Sequence, residues 1–149
     1  MQHETRMAIA GLRLKSTPED VRSLPLTENV TVIDGETVSV LATGETCGKA
    51  AANATGFGVV VFQHIGKSGR TADGKAEAYI QHDTLPVMTQ GRIWVKPNEA
   101  ITARGTAAAV YVNVADGTLG QTAESGTLVP NAYWDVPTNS DGLAVVHLG

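Results

Sequence analysis

The residues of this sequence able to do chemistry are one cysteine, four histidines and a scatter of carboxylates, and their spacing argues against their doing it. His3, His64, His82 and His147 stand apart, none within five residues of another or of Cys47. Zinc sites take their ligands in close pairs, so ordinary strand or loop histidines are the simpler reading, although His64 and His82 could meet on neighbouring strands. Cys47 has Lys49 nearby, a cation able to lower a thiol pKa. It also sits in a small-residue segment, where a single cysteine serves as a small buried apolar group. The phosphate-loop pattern needs four residues between its first glycine and the Gly-Lys. "GETCGKA" has three, with Ala50 in place of the hydroxyl residue, and "HIGKSG" has Val61 at the first glycine position. There is no Gly-x-Ser-x-Gly elbow, and a dispersed triad is recognised by geometry rather than by sequence. The pattern points away from an enzyme and calls for no cofactor and no metal.

What remains is a set of aromatic, cationic and amide side chains placed to meet a partner. In "GRIWVK" the two-residue period of a strand puts Ile93 and Val95 on one face and Arg92, Trp94 and Lys96 on the other. In "AVYVNV", Val110, Val112 and Val114 oppose Tyr111 and Asn113. In "NAYWDV", Ala132, Trp134 and Val136 oppose Tyr133 and Asp135. Trp134 is therefore expected in the core and Tyr133 at the surface. Trp and Arg are enriched at protein interfaces. The candidate interface is Arg92, Trp94, Lys96, Tyr111, Asn113 and Tyr133. The competing arrangement is that a second sheet or the segment 44–56 covers Trp94.

The elements that must carry these residues read as β. Asp-Gly occurs at 34–35, 73–74, 116–117 and 141–142, each beside a Val/Ile/Thr/Tyr-rich run. Such pairs favour tight hairpin turns because both residues tolerate positive φ. The expected fold is all-β, a jelly-roll-like β-sandwich or related β-barrel, with strands that include 30–33, 85–89, 92–96 and 100–104. "FGVVVFQHI" is apolar on both faces and reads as a strand covered from both sides. One short helix is expected near residues 18–24, where Thr17 can cap, Pro18 suits the first turn and Pro25 stops it. Segments 44–56 and 66–75 read as loops. The 149 residues suit a single β domain spanning 1–149, with an N-terminal segment, residues 1–55, and a longer one, residues 56–149. With 11 basic against 15 acidic residues and a net charge of −4, no basic stripe marks a nucleic-acid surface. No apolar run reaches signal-peptide or membrane-span length.

The run "LPVMTQGRIWVKPNEAITARGTAAAVYVNVADGTLG", with "GFGVVVFQHIGKSGRTADGKAEAY" before it and "NAYWDVPTNSDGLAVVHL" after it, resembles the structural cement, or capsid decoration, proteins of tailed-phage heads. The resemblance covers the chain from Gly56 on. Tyr133-Trp134 departs from it, standing where the family pattern has Arg and one aromatic. The resemblance implies a non-enzymatic protein on the outer surface of the virion capsid. Its partners would be the major capsid protein and itself, a dimer favoured over a trimer, with no nucleic acid and no membrane. It would be made in a bacterial host cytoplasm. The alternative is a carbohydrate- or ligand-binding β-sandwich module using Tyr111, Asn113, Tyr133 and Asp135.

Overall fold

A computed structural model of the chain describes residues 10–14, 19–41, 44–52, 54, 56–61 and 78–149. Its strands are β1 (Arg13–Leu14), β2 (Asp20–Pro25), β3 (Thr37–Leu41), β4 (Thr46–Lys49), β5 (Phe57–Val60), β6 (Thr84–Val95), β7 (Tyr111–Val112), β8 (Leu119–Gly120), β9 (Thr127–Leu128), β10 (Tyr133–Val136) and β11 (Ala144–Leu148). A 3-10 turn, Ala123–Ser125, lies between β8 and β9. The expectation of an all-β protein holds, and every strand pair among the described residues is antiparallel. The two-sheet arrangement is compatible with a jelly roll.

The long strand β6 organises the larger sheet. One of its sides pairs with β1 (Arg13↔Ile93) and then β2 (Val21↔Met88 to Pro25↔Thr84). The other pairs with β5 (Val59↔Met88) and then β11 (Ala144↔Val95 to Leu148↔Gly91). The sheet continues through β3 and β4 at one end and β10 at the other, giving eight strands. β7, β8 and β9 form a second, three-stranded sheet in the order β8-β7-β9. Val110, Val112, Leu119 and Val129 from the region of that sheet join Val59, Met88, Ile93, Val95, Trp134 and Val146 in one core cluster. A second cluster of Leu24, Val38, Cys47, Val60, Leu85 and Val87 covers the opposite side of the larger sheet. The sheet is thus apolar on both sides around β5, in line with the reading of "FGVV".

The expected strands 85–89 and 92–96 are one strand with a switch in it. Met88 and Ile93 share a cluster although an odd spacing should send them to opposite sides. The register of β2 on β6 shifts between Val21↔Met88 and Asp20↔Gln90, and this bulge, with Gly91 beside it at φ +130, resets the alternation. An ideal Cβ there would stand 3.0 Å from Met88 Sδ and 3.3 Å from Glu19 Cγ, so only glycine fits without a shift.

Three local readings are corrected. Residues 20–24 of the expected 18–24 helix lie in strand β2. Their capping signals are local, whereas the edge of β6 offers six paired positions that satisfy the backbone across the sheet. Segment 44–56 contains β4, which pairs with β3. Segment 100–104 is irregular, its backbone held instead by Gln121 Oε1, which accepts from Thr102 N (2.9 Å) and Ala103 N (3.0 Å). The expected loop 66–75 and His64 lie outside the described residues.

Candidate functional site

Beyond Gly91 the second cluster stops, and the side of the sheet it would cover is left with a mixed face. β6 contributes Arg92 and Trp94, both half-buried. β11 brings Val145 opposite Trp94 and His147 opposite Arg92. β10 brings Tyr133 opposite His147. Arg92, His147 and Tyr133 therefore form a row across three strands. The Tyr133 and His147 rings stack with centroids 4.6 Å apart and 11° between their planes. The register of β10 on β11 shifts between Trp134 and Val136. That bulge falls at Asp135, which accepts from Arg92 Nε at 2.7 Å. The pair is partly exposed, 33% and 25% for the two side chains, so its contribution to stability is about 1 kcal/mol or less. Its effect is to fix the guanidinium on this face. His147 Nδ1 is buried without a hydrogen-bond partner among the described residues.

Of the six candidate residues, the structure brings Arg92, Trp94 and Tyr133 to this face. Lys96 is exposed just past the end of β6. Tyr111 lies on β7 in the other sheet. Asn113 shapes a turn: its Oδ1 accepts from Ala115 N at 2.9 Å and its carbonyl from Gly117 N at 2.7 Å. Val145 and His147 join the face without having been candidates, and Asp135, named only for the alternative ligand-binding module, joins it as the partner of Arg92. Alternation in "LAVVHL" places Val145 and His147 on one side of their strand, but which side faces out follows only from the pairing with β6. Trp134 is fully buried, and its Nε1 donates to Gly120 O at 3.2 Å.

The residues first considered for chemistry are placed otherwise. Cys47 is fully buried, and its thiol donates to Leu24 O at 3.6 Å. Burial, reinforced by the Glu28 charge, pushes the thiol up to about 11, so it is protonated and unreactive at neutral pH. His82 occupies a turn at φ 80. Among the described residues no three His, Cys, Asp or Glu side chains come together as a metal site.

A family model described as structural cement protein (E217 gp24/Pam3 gp6) matches residues 1–149. A chain in the solved structure of the capsid of Myoviridae phage XM1 is similar in fold, with a TM-score of 0.70 at 16% identity, over 100% of this chain and 94% of that one. No curated protein matches.

Proposed function

The chain belongs to the phage structural cement protein family, whose role is structural and capsid-stabilising, and we propose on that premise that it binds the outer surface of the assembled head. There it ties neighbouring capsomers together by contact with the major capsid protein, acting without catalysis as one β domain over the whole chain, a dimer before a trimer. The observation that carries this reading is the face beyond Gly91, where Trp94, the Arg92–Asp135 pair and the Tyr133–His147 stack stand where the apolar cover ends. An amphipathic aromatic beside a fixed guanidinium is the composition of an interface centre. Nothing in the geometry favours the carbohydrate-binding alternative. Tyr111 and Tyr133 lie in different sheets, and Asn113 and Asp135 already hold a turn and an arginine.

The test is to size the purified protein by sedimentation and then measure its co-sedimentation with empty phage heads. Wild type should saturate the heads at a fixed ratio. Trp94→Ala should remain folded and bind more weakly by about 2 kcal/mol or more, as loss of an interface anchor does. Failure of wild type to bind heads would refute the reading, and full binding by the variant would remove Trp94 from the contact.

A further inference from the structure

The turn Ile33–Glu36 holds a carboxylate with no hydrogen-bond partner among the described residues. Gly35, at φ +87, lets the turn close, with Glu36 N donating to Ile33 O at 3.2 Å and Glu36 Oε1 accepting from Ile33 N at 3.1 Å. An ideal Cβ on Gly35 would stand 2.8 Å from Ala10 Cβ, so the turn is pressed against residues 10–11. These are pinned to β6 by Gly11 N donating to Trp94 O at 2.8 Å. Asp34, in this turn, is 4% exposed, and among the described residues neither of its carboxylate oxygens has a hydrogen-bond partner.

Asp34 lines a cavity of about 220 Å³ whose other walls include Ala10, Ile33, Glu36, Lys96 and Pro97. The cavity is mostly apolar, with two acidic residues at its wall, and of these Glu36 already accepts from Ile33 N. Lys96, the cation on its rim, makes no ion pair with Asp34 among the described residues. Lys96 follows Trp94 by two residues, so the cavity adjoins the end of the proposed shell-binding face. A buried carboxylate costs several kcal/mol unless paired, and what would pair it here is a cation on an apolar stem. A second copy of this chain, itself carrying a net charge of −4, is the poorer source of one.

We propose that this cavity receives a basic side chain, arginine or lysine, from the shell protein, its stem lying between Ile33 and Pro97 and its cationic head on Asp34. This deepens the cement reading and rests on it for the identity of the partner. The cavity chemistry stands on its own. A charge-assisted hydrogen bond in a desolvated site is stronger than a neutral one, so the contact would act as a latch at the edge of the aromatic face.

The test uses n-butylguanidinium as a probe of the cavity, titrated by calorimetry against wild type, Asp34→Asn and Ile33→Trp, with n-butanol as the uncharged control. Ile33→Trp plugs the cavity from its rim and leaves the carboxylate in place, so the outcome does not depend on one variant folding. Binding of the probe but not of butanol to wild type, weakened roughly ten- to a hundredfold in both variants, supports the proposal. Both variants should weaken head binding over the same range. Absence of probe binding to wild type, or equal binding to Asp34→Asn, overturns the cavity chemistry, whether or not wild type binds heads. Probe binding that depends on Asp34, together with unchanged head binding by the variants, overturns the assignment to the shell protein.

Discussion

Asp34→Asn should change how stability depends on pH, not merely its level. Burial raises the Asp34 carboxyl from its ordinary 3.8 to about 7. The folded protein therefore keeps a proton there that the unfolded chain has lost. Below about pH 4 both states are protonated and this group contributes its full stability. That stability falls as pH rises and is gone above about pH 7. A rise of about three pH units corresponds to about 4 kcal/mol at 1.36 kcal/mol for each. Water entering the 220 Å³ cavity solvates part of the charge, so roughly 2–4 kcal/mol is the expected fall. The Asn amide also lacks partners, which costs stability equally at every pH. The difference between wild type and variant isolates the ionisation. It removes most of the parallel effect of Glu36, whose carboxyl is raised by burial and then by Asp116, against the Ile33 N–H that lowers it. Urea unfolding of both proteins from about pH 4 to pH 8, at one fixed protein concentration so that self-association does not enter, measures the difference. Asp34→Asn should gain on wild type by roughly 2–4 kcal/mol across that range. A flat difference would refute the claim that Asp34 is buried and unpaired.

Trp134→Ala should destabilise the protein by about 3–5 kcal/mol in denaturant unfolding, since the ring is fully buried and its Nε1–H is used by Gly120 O. Trp94→Ala should cost clearly less in the same measurement, and an equal loss would make Trp94 plain core. Gly91→Ala should lower stability by roughly 1–3 kcal/mol through its φ of +130 and its contact with Met88, and should weaken head binding because it disturbs the strand that presents Trp94. Cys47 should resist thiol reagents in the native protein and react only on unfolding, as a label-incorporation time course would show, because its thiol is buried and raised to about 11.

Much of this arrangement is written in local pattern. Alternation in "GRIWVK" and "NAYWDV" separates Ile93, Val95 and Trp134 from Arg92, Trp94 and Tyr133, and three Asp-Gly pairs fall at glycines with positive φ: Gly35, Gly117 and Gly142. What alternation cannot carry is pairing between distant segments. The β2 strand forms because β6 offers it an edge, against a helix-start signal in its own residues. The joining of Asp135 to Arg92 depends on a bulge in β10 and on the register of β11 across β6. Asp34 reads as a turn residue and is one. Its burial accompanies the close approach of residues 10–11 to the turn at Gly35, which no window around position 34 contains.

The shared strand also has a mechanical side. β1, β2 and β11 all run antiparallel to β6, so β1 and β2 point the same way as β11 while gripping opposite edges of it. A load entering at Arg13 and leaving at Leu148 drags these strands past β6 in opposite directions. Ladder hydrogen bonds lie across the strands, so this load shears them together rather than peeling them one by one. In a protein with a structural, capsid-stabilising role, β6 is the tie rod, and tension between the two ends is met by a whole ladder at once.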